Sequence, residues 1–273
     1  MRHWSALSRA RSPSLVEVLP ETPLGGNLND AVRVGDTVHR RAGPWTPAVH
    51  ALLRYLERAN FPAPRVVGMD ARGREVLRFI EGEAYNGTLE PLPDHVFSDV
   101  HLAEAAKLLR RYHDVVADFH PQPNLKWRMV APTPYELICH NDWSPWNAVL
   151  RKGRVDVMLD WDLAGPGTRL WDIANGAYCW TPLFAAHVHV GRTLDDKLRR
   201  LRLFLDSYRL DDRSELLLTL RARLQFVGEM VARDAAAGDP GMQRLAAMNV
   251  PKKMFEDDVA YLDENWAKLE RAL

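Results

Sequence analysis

Residues 137–162 read Leu-Ile-Cys-His-Asn-Asp-Trp-Ser-Pro-Trp-Asn-Ala-Val-Leu-Arg-Lys-Gly-Arg-Val-Asp-Val-Met-Leu-Asp-Trp-Asp, and the polar side chains in this stretch could do chemistry together. Ala148-Val149-Leu150 and Val155 to Leu159 are apolar runs on either side of Lys152-Gly153, a favourable two-residue hairpin turn. Counting back from that turn brings Asn147 and Asp160 to the same open end of the hairpin. An amide oxygen and a carboxylate that converge there can share a hard cation such as Mg²⁺, which prefers oxygen ligands. Asp142 lies five residues before Asn147, in the loop that enters that end, and can face the same point. A metal-binding pair beside a free carboxylate is what phosphoryl transfer needs. The metal offsets charge on the phosphates, and the carboxylate orients or deprotonates the attacking hydroxyl.

His140-Asn-Asp142, four residues, Asn147, then Met158-Leu159-Asp160-Trp161-Asp162 resembles the catalytic and metal-binding motifs of the aminoglycoside phosphotransferases and their kinase-like relatives. The resemblance implies that Asp142 is the catalytic base and that Asn147 and Asp160 bind metal. It implies that His140 braces the loop, and that Asp172, in Trp171-Asp172-Ile173-Ala174, steadies it from a helix. Taken singly, each piece is weak. His-x-Asp is common, and Asp160-Trp-Asp162 alone also fits a surface turn, a metal motif of sugar-nucleotide glycosyltransferases, or the start of a haloacid-dehalogenase-like phosphatase. The ordered conjunction of base, Asn, hairpin, Asp and helix Asp is what carries the reading.

The same resemblance extends to the front of the chain. Gly25-Gly26-Asn27 falls where a nucleotide-positioning loop would cross the phosphates, offering close backbone approach and N–H donors. The following strand should carry a cation for the phosphates, usually a Lys held by a Glu on the next helix. Here it offers His39, Arg40 and Arg41, of which Arg40 is the expected phosphate ligand. The helix has Val49 and His50 where the Glu belongs, and Glu57 only near its end. Leu77 to Glu81 resembles an interlobe hinge, with Arg78, Phe79 and Ile80 as the backbone contacts to a purine. Five tryptophans, at 143, 146, 161, 171 and 180, cluster around the catalytic segment. Most are expected in the core, with Trp143, Trp146 and Asp162 as possible substrate contacts.

These side chains need elements to position them. Extended runs at 16–19, 28–34 and 37–41, a helix over 48–59, and strands at 66–68 and 75–80 make a small antiparallel sheet with one helix. Beyond Glu81-Gly82-Glu83 the pattern is helical, at about 94–118, 170–180, 195–209, 212–237 and 251–271, interrupted by the β segment at 137–160. The expected fold is therefore α+β and bilobal, protein-kinase-like, with a nucleotide-binding lobe at 16–81 and a catalytic and substrate-binding lobe at 82–273. Residues 1–15 read as a poorly ordered leader.

Composition sets the outer limits. The chain has 273 residues, 47% hydrophobic and 26% charged, ordinary for a globular protein. Its 36 basic and 36 acidic residues balance, which removes the simplest argument for nucleic-acid binding. No run approaches a membrane span, and the two cysteines, Cys139 and Cys179, lack metal-ligand spacing and read as free thiols of a cytoplasmic protein. The expected function is transfer of the γ-phosphoryl group of ATP (GTP not excluded), with Mg²⁺, to a hydroxyl of a small molecule such as an antibiotic, an amino sugar or an amino alcohol. The alternative is a kinase-fold protein that binds nucleotide or metabolite without catalysis, motivated by the Arg in place of Lys and the missing helix Glu.

Overall fold

The computed structural model describes residues 19–24, 30–85, 92–132, 134–185, 192–247 and 251–273. Residues 1–15, most of the run at 16–19, and the Gly25-Gly26-Asn27 loop lie outside them.

The smaller lobe is a five-stranded sheet of order β1-β2-β3-β5-β4, made of β1 (Glu21–Pro23), β2 (Val32–Val34), β3 (Thr37–Arg41), β4 (Val66–Met69) and β5 (Arg74–Arg78). All its pairings are antiparallel. Helix α1 (Thr46–Arg58) follows β3, with a proline in its first turn, where the missing N–H costs nothing. Its buried stripe, Ala48, Val49, Leu52, Leu53 and Leu56, has the spacing of one helix face.

The larger lobe is helical. It contains α2 (Asp99–Val116), α3 (Arg169–Trp180), α4 (Leu194–Tyr208), α5 (Leu216–Ala236), α6 (Pro240–Ala247) and α7 (Pro251–Glu270). Ser98 and Thr168 cap α2 and α3 by accepting from the His101 and Trp171 N–H groups, so both starts are written in the sequence. Helix α6, which the sequence reading does not contain, is short and begins one residue after the Ala237-Gly238 turn. Between α2 and α3 lie two small sheets, β6 (Leu137–Cys139) with β9 (Gly165–Gly167), and β7 (Ala148–Arg151) with β8 (Arg154–Met158). Trp143, Trp161, Trp171 and Trp180 are the largest side chains fully buried among them.

Two close approaches fix how these pieces meet. The connector between lobes pairs with β7 through Glu83 N–H to Leu150 O (2.9 Å) and Leu150 N–H to Glu83 O (2.7 Å). Gly82 beside it has φ +149°, and a Cβ there would lie 2.3 Å from Val149. Gly165 packs so tightly on the 127–131 segment that a Cβ would lie 1.8 Å from the Met129 oxygen. The result is the bilobal α+β fold of the kinase-like proteins.

Candidate active site

Strand β6 ends at Cys139, and the chain enters a loop whose backbone polar groups are met by buried side chains from α3 and α5. Asp172, on α3 and wholly buried, accepts the N–H of His140 (2.7 Å) and of Asn141 (2.8 Å), and contacts His113 Nε2 (3.1 Å). Burial alone would raise this carboxyl; His113 and the His140 side hold it below the usual carboxylate range. Asn141 has φ +68°, a left-handed conformation that Asn tolerates better than most residues. Arg223, from α5 and 2% exposed, donates to the Asn141 carbonyl and to Asn175 Oδ1 (3.1 Å), so the strained turn is held from both sides. Sequence reasoning missed Arg223. It lies 82 residues from Asn141, in a helix rich in arginines, and no local pattern marks it.

His140 is fully buried and links the two halves of the site. Its Nε2 lies 2.8 Å from the Leu159 carbonyl, the residue before Asp160, and its Nδ1 accepts the Asp142 N–H at 3.2 Å. Those partners define a neutral imidazole with the proton on Nε2, and burial lowers its pKa accordingly.

Asp142 and Asn147 meet directly, since Asn147 Nδ2 donates to Asp142 Oδ2 and to the Asp142 carbonyl, both at 2.8 Å. That commits the amide nitrogen to Asp142 and sets the amide oxygen on the opposite side of the group. The hairpin register pairs Ala148 with Met158, and Leu159 N–H donates to Asn147 O at 2.8 Å. Asn147 and Asp160 therefore sit at the same open end. Asp160 has φ +55°, a second left-handed residue in the site. Burial and the Asp160 carboxylate push the Asp142 carboxyl up to about 8, against a downward pull from Asn147.

Arg40 comes down from β3 onto this end. Its Nη1 lies 3.2 Å from Asp160 Oδ1, its Nη2 2.8 Å from Asp162 Oδ1, and its Nε 2.5 Å from Glu75 Oε2. Glu75 is on β5, directly opposite Arg40 in the β3–β5 register, and its other oxygen contacts His50 Nε2 of α1 at 2.8 Å. The carboxylate that the sequence reading sought on the helix is thus on the neighbouring strand, and the helix supplies a histidine. Glu57 is remote from Arg40, half exposed, and 3.7 Å from Arg65. One guanidinium against three carboxylates leaves the cluster negative. Burial, with Asp160 and Glu75 close by, pushes Asp162 up to about 6 even though Arg40 pulls it down.

Two of the three expected substrate contacts, Trp143 and Asp162, need revision. Trp143 is sealed in the core with its indole N–H on Ala105 O (3.0 Å), so it faces away from any substrate. Trp146 is only partly buried and stays at the site's edge. Asp162 is taken up by Arg40 and is 5% exposed, which makes it an anchor for that side chain. At the hinge, the Arg78 and Phe79 N–H groups already donate to Arg65 O and Asp36 O, both at 2.8 Å. Of the three expected backbone contacts, that leaves Ile80. Arg78 points to solvent beside Asp36, while Phe79 lies 3.7 Å under the Arg33 guanidinium.

The phosphotransferase enzyme family model matches residues 122–204, the stretch holding Asp142, Asn147, Asp160 and Asp172. The trifolitoxin immunity protein of Rhizobium leguminosarum bv. trifolii is 36% identical over 195 residues, covering 67% of this chain and 72% of that protein. Among solved structures, an amicoumacin kinase in complex with AMP-PNP, Ca²⁺ and Ami superposes with a TM-score of 0.62 at 14% identity, over 85% of this chain and 89% of that one. The ethanolamine kinase of Plasmodium vivax gives 0.58 at 14% identity, over 89% and 85%. At such identities the likeness is one of fold, and it agrees with the sequence relative and the motif geometry: the chain belongs to the phosphotransferase enzyme family, alongside the aminoglycoside phosphotransferases.

Proposed function

We propose that the protein is an ATP-dependent kinase that phosphorylates a hydroxyl of a small molecule, with Asp142 as base. The observation that carries this reading is the joint placement of Asp142, Asn147 and Asp160 at one hairpin end, with the Arg40 guanidinium lodged against Asp160.

The residues fit a divalent cation. Asn147 presents its oxygen because its nitrogen is held by Asp142, Asp160 presents a carboxylate, and the surrounding charge is negative. Among the described residues no cluster of three or more His, Cys, Asp or Glu side chains could cage a metal unaided. Mg²⁺ suits that case, since it commonly takes one or two protein ligands with phosphate oxygens and water completing the shell. Bound there, the ion would neutralise phosphate charge and, by opposing Asp160, draw the Asp142 carboxyl back toward its ordinary range.

Asp142 then accepts the acceptor's hydroxyl proton while the γ-phosphorus–oxygen bond to the β-phosphate breaks and a new one forms to the acceptor oxygen. His140 and Asn147 fix where that carboxylate points. Arg40 offers a planar fork to the phosphates in the place where a lysine would offer a point charge. A relative named for immunity to trifolitoxin makes an antibiotic or toxin the first acceptor class to test.

The test is ATP turnover with Mg²⁺ across a panel of aminoglycosides, peptide and amicoumacin-type antibiotics, amino sugars, choline and ethanolamine. Transfer to one acceptor, lost in Asp142→Asn, supports the reading. Tight nucleotide binding without turnover on any of them would favour the non-catalytic alternative, which the engagement of Arg40 with Asp160 keeps in play. Preference for a UDP-sugar over ATP would revive the glycosyltransferase reading of Asp160-Trp-Asp162.

A further inference from the structure

Resting on the kinase reading, we infer that Glu75 and His50 are positioning residues for the nucleotide. Together they aim the Arg40 fork, and a strand carboxylate backed by a helix histidine does the work of a helix glutamate.

The geometry argues for it in three steps. A lysine ammonium has no side branch, so it can be steered only by a group that meets its tip. An arginine has Nε upstream of its fork, and holding Nε fixes the plane and direction of both terminal nitrogens. Here Nε is held by Glu75 at 2.5 Å, and the two terminal nitrogens face Asp160 and Asp162 across the cleft. The holder must therefore sit beside the arginine's stem, and the cross-strand neighbour in β5 is the residue placed to do so.

Glu75 in turn needs holding. It is 2% exposed and bears a charge whose burial is opposed by Arg40 and His50 together. His50, 7% exposed on the inner face of α1, meets its free oxygen at 2.8 Å. Glu75 also raises Asp162 by its charge, but its hydrogen bonds are to Arg40 and His50, so its bonded route to the nucleotide runs through Arg40. The arginine on β3, the carboxylate on β5 and the histidine on α1 form one set. With arginine on β3, the acid stands on β5 and the helix supplies a histidine.

The experiment compares wild type with His50→Ala, His50→Gln, Glu75→Gln and the double variant His50→Ala/Glu75→Gln. The readouts are calorimetric Mg²⁺–ATP affinity and, for the acceptor found above, KM for ATP against KM for acceptor, with thermal melts recorded in parallel. We expect His50→Ala and Glu75→Gln each to weaken ATP binding about tenfold or more, as removal of an orienting partner commonly does, with KM for the acceptor little moved. His50→Gln, which keeps a donor within reach of Glu75, should recover most of the His50→Ala loss. Because His50 acts through Glu75, the double variant should lie within about twofold of Glu75→Gln, where independent effects would multiply.

Wild-type ATP affinity in His50→Ala, or multiplied losses in the double variant, would overturn the inference while leaving the kinase reading standing. A variant that only melts earlier, with KM for ATP unchanged, overturns it as well. A wild-type protein that binds neither ATP nor GTP would overturn the kinase reading and this inference with it.

Discussion

Two supports hold the site, one beneath Asp142 and one above Asp160, and they are built on different physics. Below, in the helical lobe, the loop at 140–142 is held by backbone N–H and C=O groups bonded to the buried side chains of Asp172 and Arg223. Above, in the small lobe, Arg40 is held almost wholly by charge, with Glu75 and His50 behind it and Asp160 and Asp162 in front. The first fixes backbone and cannot yield without opening the core. The second fixes one long side chain that spans the cleft, and its front partners include Asp160, the carboxylate proposed to hold the metal. A rigid base and a redirectable cation suit a reaction in which the proton acceptor must stay put while the phosphates arrive. The predictions below set the two supports against each other, from the base itself outward.

The largest effect belongs to Asp142→Asn. Removing a positioned general base typically costs about 10²–10⁴ in rate, so kcat should fall by that order while calorimetric ATP affinity stays near wild type. Undiminished turnover would break the assignment of the base to the lower support.

Next comes Asp172→Asn. Hydrogen bonds to a charged group contribute about 1.5–3 kcal/mol each, and here two buried backbone donors, from His140 and Asn141, lose their anion. Denaturant unfolding should show a loss of that order. The sign with pH follows from the depressed pKa of Asp172. Its contribution is present above the ordinary carboxylate pKa of about 4 and lost as pH falls toward the folded value. Wild type should therefore lose stability more steeply than Asp172→Asn below about pH 4.

Arg223→Met is smaller and separates architecture from charge. It leaves the Asn141 carbonyl and Asn175 Oδ1 without their donor, a cost of about 1–3 kcal/mol. It also removes a cation that lowers Asp142. Activity should fall more than stability does, with the acid limb of the pH–rate profile displaced upward. A variant that is less stable yet kinetically normal would reduce Arg223 to packing.

The two supports also differ in how far they could be read from residues alone. The lower one was largely legible. His140, Asp142, Asn147 and Asp160 lie within one loop and one hairpin, where turn chemistry fixes register, and Asp172 follows on a capped helix nearby. Arg223 escaped because its partners, Asn175 and Asn141, lie 48 and 82 residues away on other elements, and no local spacing links them. The upper support was legible only as far as Arg40. Its acid is expected on the next helix, as for a lysine, while Glu75 stands 35 residues away and is opposite only once β3 and β5 are paired. Trp143 misled for a related reason: a residue beside the base in sequence can point its side chain into the core, here to Ala105. The helices were found by their apolar spacing. The three-residue β9 and the eight-residue α6 were missed because elements that short carry too little periodicity to detect.

The smallest expected effect sharpens the comparison most cheaply. Glu57 is the acid on α1 that a lysine-based site would have tempted one to pair with the β3 cation. The structure has it half exposed, 3.7 Å from Arg65, on the far turn of the helix. Exposed pairs of that kind contribute roughly 0–1 kcal/mol, so Glu57→Gln should melt within a degree or two of wild type and bind Mg²⁺–ATP with the same affinity. Set beside Glu75→Gln, it holds the chemical change constant and moves only the place, helix surface against buried strand. Equal losses in the two variants would mean that general charge, not the carboxylate held against Arg40 Nε, governs nucleotide affinity. A silent Glu57→Gln beside a damaged Glu75→Gln would assign the acid of the upper support to β5.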